Sequence, residues 1–130
     1  MALVKLISSK GPGGEALLEV SGQTVCVIDE MSWDIRTAPK PGDEFEFEFS
    51  NELDGNESWD DLFGGNPDKR IGIEQVEAWE YLAFGKIISV DPVQVDCGLF
   101  VQSNVLHTHD PLVVGEFIGF KIFRLGGYAI

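Results

Sequence analysis

Six residues carry the strictest instruction in this chain. Glu44-Phe45-Glu46-Phe47-Glu48-Phe49 alternates acid and phenylalanine without a break. Successive side chains of a β-strand project to opposite faces. A strand therefore sorts Phe45, Phe47 and Phe49 onto one face and Glu44, Glu46 and Glu48 onto the other. A helix would wrap both kinds around its whole surface, so this run predicts a strand. Any fold for the chain must give the phenylalanines an apolar layer and leave the acids to solvent or to a partner.

The rest of the chain supplies that layer. Apolar, β-branched or aromatic runs over residues 4–8, 15–20, 24–28, 81–90, 93–103 and 116–125 read as further strands. Turn residues separate them: Lys10-Gly-Pro-Gly-Gly14, the hairpin loop Ser21-Gly22-Gln23, Pro39-Lys40-Pro41-Gly42 and Asp91-Pro92. Gly85 marks an expected bulge, Gly98 a kink and Gly119 a bend. Residues 71–79 suit helix and strand equally and predict a short irregular element. About seven strands with little helix predict a mainly β fold, a small barrel or sandwich with one or two short helices. The chain has 130 residues and is 44% hydrophobic, with nine phenylalanines. That suits a single domain spanning residues 1–130 with a real core.

The strand rhythm of the second half, a long bent strand, a hairpin, a long connection and a closing strand, resembles an OB-like barrel, and that resemblance favours a barrel over a sandwich. There is also an internal echo. Val4-Lys-Leu-Ile-Ser8 resembles Gly85-Lys-Ile-Ile-Ser89, and Gly42-Asp-Glu-Phe-Glu-Phe47 resembles Gly115-Glu-Phe-Ile-Gly-Phe120. A duplication would place two similar β-units in one chain.

Charge is the strongest functional clue. The chain has 22 acidic and 9 basic residues, a net charge of −13. Residues 29–61 hold twelve of the acids against only Arg36 and Lys40, so this run carries −10 of the total. Such a surface repels phosphate backbones and anionic bilayers, which excludes nucleic acid and membrane as expected partners. It attracts basic proteins or peptides. Within the run, residues 51–70 form a long acidic connection, a length that usually serves a function. Ser58 there can cap a short helix near residues 59–63, with Asp60 and Asp61 at its positive end. Trp59, Leu62 and Phe63 then share one face as an apolar anchor rimmed by charge. The candidate partner-binding residues are Glu44, Glu46, Glu48, Asp54, Glu57, Trp59, Asp60, Asp61, Leu62 and Phe63.

Other constellations carry less. Asp54-x-Asn56-x-Ser58-x-Asp60 places oxygen ligands at alternate positions, but Trp59 stands where a calcium loop requires glycine and Gly65 where it requires glutamate. His107-x-His109 would bring two imidazoles to one side of an extended segment, a weak candidate metal pair. No nucleophile elbow, phosphate-cradling loop or zinc-protease motif occurs, so no catalytic residue or cofactor is expected. Cys26 and Cys97 match no metal or redox spacing, and the opening residues lack the features of a secretion signal, so a cytoplasmic location is expected. The sequence thus predicts a non-enzymatic acidic binding protein for a basic partner, of the inhibitor or immunity type or a subunit of an assembly. The alternative is a small-ligand or metal-binding barrel, enzymes included, using His107 and His109.

Overall fold

The computed structural model describes residues 2–130. The fold is mainly β. In chain order the elements are β1 (Ala2–Ser9), β2 (Glu15–Val20), β3 (Gln23–Ile28), β4 (Glu44–Phe49), β5 (Glu52–Leu53), α1 (Trp59–Gly64), β6 (Gly72–Glu77), β7 (Glu80–Ser89), β8 (Gln94–Asp96), β9 (Val101–Ser103), β10 (Phe117–Arg124) and β11 (Gly127–Ala129). A single 3₁₀ turn covers Pro111–Val113. The strands build two compact units. The first holds the chain up to Glu52 with Val76–Glu80 and Phe123–Ile130; the second holds Leu53–Gln75 and Tyr81–Ile122.

The sheet of the first unit runs β11-β4-β1-β2-β3. Alternation decides its inner face: Val4, Leu6, Ala16, Leu18, Val20 and Phe47 are buried, and their neighbours in sequence point outward. Phe47 meets Phe49 edge-on, ring centroids 5.0 Å apart, an arrangement that suits the ring quadrupoles. Phe45 and Phe49 are half-buried, so only the middle phenylalanine of the alternating run reaches the deep core. β2 and β3 pair up to Val20 opposite Gln23. Ser21 and Gly22 alone therefore make the turn, both at positive φ, as a two-residue hairpin loop requires. Ile28 N donates to Leu125 O at 3.0 Å, so β3 meets the chain entering β11 and the sheet curls as a half-barrel.

The sheet of the second unit runs β5-β10-β7-β8-β9, with β6 also beside β7. Three expectations change here. Residues 71–79 contain a regular strand, β6, that turns at Ala78 and Trp79 into β7. The run 93–103 is two short strands, because Gly98 at φ +88 turns the chain between them. Gly85 is not the bulge of β7; the bulge lies between Ile87 and Ser89. Gly85 is needed because a Cβ there would sit 2.6 Å from Asp96 O. The 51–70 connection contains β5 and α1. Ser58 Oγ accepts from Asp61 N at 3.1 Å, the cap expected at the start of α1, and an Asp61 carboxylate oxygen accepts from Ser58 N at 3.2 Å, which makes the cap reciprocal. Beyond α1, the backbone of Gly65 presses on Gly119: a Cβ on Gly119 would lie 2.3 Å from Gly65 O.

The sheets repeat one another. In each, a first strand pairs with a second and the second with a third, while a fourth returns beside the first and takes one further strand on its outer side. β1 bulges between Leu6 and Ser8, and β7 bulges between Ile87 and Ser89. Gly42 and Gly115 both stand at φ +95 just before the fourth strand. Gly42 N donates to Leu6 O at 2.7 Å, and Gly115 N to Ile87 O at 2.8 Å. Leu6 N donates to Asp43 O at 3.0 Å, and Ile87 N to Glu116 O at 2.9 Å. The echo in sequence is thus a repeated backbone device, and it aligns Leu3 with Phe84, Glu44 with Phe117, Glu46 with Gly119 and Glu48 with Lys121.

Candidate functional site

On the outer face of the first sheet the register builds rows across the strands. Tyr128 stands opposite Glu48. Ile130 N donates to Glu46 O at 2.9 Å, and Glu46 stands opposite Leu3. Lys5 stands opposite both Glu44 and Glu19. Glu44 and Glu46 are exposed and Glu48 is half-buried. The three acids of β4 lie about 7 Å apart along the strand, where each neighbouring pair repels by about 0.6 kcal/mol in water before salt screening. Lys5 offsets this at one end only. Leu3, Tyr128 and Ile130 lie exposed among these acids.

The equivalent face of the second unit looks different, because the chain covers part of it and lines its edge. Asp54 N donates to Lys121 O at 3.2 Å, and a Glu57 carboxylate oxygen accepts from Lys121 N at 2.8 Å. Asn66 is buried and donates to Ile118 O at 3.2 Å and Arg70 O at 2.9 Å, while its own oxygen accepts from Arg70 N at 2.7 Å. The Arg70 guanidinium lies 4.3 Å over the Phe84 ring, a favourable cation–π distance. A cleft of about 220 Å³ remains between Glu57, Asp61 and Gly65 on one side and Leu82, Phe84 and Lys121 on the other.

This packing redistributes the candidate residues. Glu44, Glu46 and Glu48 belong to the first unit; Asp54, Glu57, Trp59, Asp60, Asp61, Leu62 and Phe63 belong to the second. Leu62 is only 3% exposed and serves the interior, so it is no surface anchor. Trp59 is 49% exposed and stacks on half-buried Phe63, centroids 5.6 Å apart. Glu57 and Asp61 are engaged with backbone N–H groups, which leaves Asp60 as the acid of this stretch with a purely outward position.

Residues 29–38 form a feature that the strand and helix patterns pass over. Asp29 is 0% exposed. Its carboxylate accepts from Met31 N at 2.7 Å, Ser32 N at 3.0 Å, Ser32 Oγ at 2.6 Å and the Ser9 hydroxyl. Burial pushes its pKa up, but the Ser32 and Ser9 hydroxyls and the two N–H groups outweigh burial and hold it below the usual carboxylate value. So one of the twelve acids of the charged run is a structural clasp. Asp34 makes a second clasp. It accepts from Arg36 N at 3.0 Å and pairs with the Arg36 guanidinium at 3.1 and 3.0 Å, which lowers the Asp34 pKa and raises that of Arg36. Between and beside the clasps, Trp33 is 71% exposed and Ile35 is 89% exposed. The signal in sequence is Trp33-Asp-Ile-Arg36 itself: two large apolar residues in a stretch with no strand or helix period to bury them.

The histidine pair lies in the second unit. His109 Nδ1 pairs with an Asp91 carboxylate oxygen, and both residues line a cleft of about 160 Å³ with His107 and Pro92. Among the described residues no three His, Cys, Asp or Glu side chains gather into a metal-holding group. Burial pushes the Cys97 thiol up to about 12, with Asp96 adding to the shift, and burial raises Cys26 as well, Glu15 adding to it. Neither is an activated nucleophile.

No known protein family, curated protein or solved structure matches this chain. The residues themselves carry the reading. No helix among the described residues is long and apolar enough to cross a membrane. Of the sites above, the outer face of the first sheet combines a charge row with exposed Leu3, Tyr128 and Ile130.

Proposed function

We propose that this chain is a non-enzymatic acidic binding protein that engages a basic protein, as an inhibitor or immunity-type protein or an acidic assembly subunit would. The observation that carries this reading is the contrast between equivalent faces. In the second unit the outer face of β7 and β10 is partly covered by the chain's own 65–70 stretch, with Gly65 against Gly119 and Arg70 over Phe84. In the first unit the same face of β1 and β4 keeps Glu44 and Glu46 exposed, with exposed Leu3 opposite Glu46 and exposed Tyr128 opposite Glu48. A mixed apolar and acidic face on strands suits a basic protein surface: the apolar contacts supply affinity, and the charges steer encounter and set register.

Affinity capture from lysate at low and moderate salt tests it, with wild type beside Glu44→Lys/Glu46→Lys. Both side chains are exposed, so the variant should fold with an unchanged melting temperature. A basic protein retained by wild type and lost by the variant is the expected result. Identical sets of retained proteins would overturn the reading.

A further inference from the structure

We infer that the Asp29–Ala38 loop is the apolar anchor of this interface: Trp33 and Ile35 insert into the surface of the basic partner. The inference rests on the proposed function and adds residues that the charge row does not contain.

Three observations lead to it. First, Trp33 and Ile35 are the two most exposed large apolar side chains of the first unit. Tryptophan is the residue most enriched among side chains that dominate binding energy. Second, the loop is already held in one shape. The Asp29 carboxylate fixes Met31 and Ser32 on one flank. Asp34 fixes the other, since its side chain holds Arg36 and its carbonyl accepts from Thr37 N at 3.1 Å and Ala38 N at 2.9 Å. A fixed loop has little ordering entropy left to lose on binding, and that raises affinity. Third, the loop is continuous with the acidic face. Residues Ala38 and Pro39 line a cleft of about 270 Å³ together with Asp43, Glu44, Phe45 and Ala129.

Charge selects the occupant. The first unit carries twelve acidic and five basic residues. A second copy of this chain or an anionic bilayer would bring like charge to Trp33, whereas a basic protein brings lysine and arginine to Glu44 and Glu46.

The probe is p-benzoylphenylalanine placed at position 33 of the full chain, photolysed in cells, with the same probe at exposed Val101 of the second unit as control. The expected adduct joins position 33, not 101, to a protein of positive net charge, the one that wild type retains in affinity capture. With that protein purified, Trp33→Ala/Ile35→Ser should weaken its binding by at least ~30-fold, the size of a hot-spot truncation, with an unchanged melting temperature. An adduct to a second copy, pelleting of the chain with phosphatidylcholine vesicles that requires Trp33, or binding altered by less than ~3-fold would each overturn the inference. If Glu44→Lys/Glu46→Lys abolishes binding while Trp33→Ala/Ile35→Ser does not, the anchor falls and the acidic interface stands. If neither double variant changes binding, both fall.

Discussion

Replacing Asp29 should destabilise the first unit more than replacing any exposed acid of the same run. The Asp29 carboxylate is fully buried and accepts four hydrogen bonds, two from backbone N–H groups and two from serine hydroxyls. In Asp29→Ala the hydroxyls can rotate toward other acceptors, but Met31 N and Ser32 N are fixed by the loop and stay unpaired. A buried donor left without a partner costs about 1–3 kcal/mol. With the lost charge-assisted bonds to both serines, about 3–5 kcal/mol is expected, since hydrogen bonds to a charged group contribute about 1.5–3 kcal/mol each. That is a large share of a stability of about 5–15 kcal/mol and corresponds to a fall in Tm of about 10–20 °C. Asp29→Asn keeps one acceptor oxygen for the N–H pair and turns an amide toward hydroxyls that can themselves accept, so about 1–2 kcal/mol is expected. Urea unfolding followed by circular dichroism measures both. A cost below 1 kcal/mol for Asp29→Ala would refute the clasp. The pH dependence is a second test of the same bonds. The folded pKa lies below its ordinary value of 3.8. Asp29 therefore contributes stability that is present above that value and lost as pH falls through the folded pKa. Between pH 5 and pH 2 wild type should lose more stability than Asp29→Asn, whose amide does not titrate.

Two further outcomes follow from the packing. Gly119→Ala places a Cβ 2.3 Å from Gly65 O, backbone against backbone, and should cost about 2–3 kcal/mol while making residues 54–66 more sensitive to limited proteolysis; an unfolding midpoint equal to wild type would contradict the close approach. With its thiol pushed up to about 12, Cys97 should be inert to Ellman's reagent at pH 8 in the folded chain and reactive in urea, because burial suppresses the thiolate; two thiols titrated within minutes in the native state would contradict its burial.

Much of this fold is written in local pattern. The alternation of residues 44–49, the hairpin loop at residues 21–23, which the structure shortens to Ser21 and Gly22, and the cap at Ser58 all act within a few residues, so the sequence alone points to them. The repeat is legible only in part. Gly42 and Gly115 and the two Lys-x-Ile-Ser stretches mark the turn and bulge, but the shared hydrogen bonds from Leu6 and Ile87 connect residues far apart in the chain. The candidate site is less legible for the same reason. Asp29 reads like Asp34 or Asp43 until Ser9, twenty residues earlier, is seen to donate to it. Leu62 reads like an anchor until its burial is known. Trp33 lies in a stretch that no strand or helix pattern singles out, and only its 71% exposure brings it forward.

The repeat also separates what the fold needs from what it does not. Glu44, Glu46 and Glu48 align with Phe117, Gly119 and Lys121, and both sets sit on a fourth strand of the same order and entry turn. The second unit therefore forms that frame without an acid row. In the first unit neighbouring acids of the row repel one another mildly, and Lys5 stands in register with Glu44. Two roles outside folding are open to it: keeping the molecule dispersed, or meeting a partner. Dispersal alone would place charge where apolar surface has been removed. Here Leu3, Trp33, Ile35, Tyr128 and Ile130 are all exposed in the same unit as the acids. Under the proposed function these exposed apolar side chains and the acids would meet a partner together, and net charge favours a basic surface as that partner.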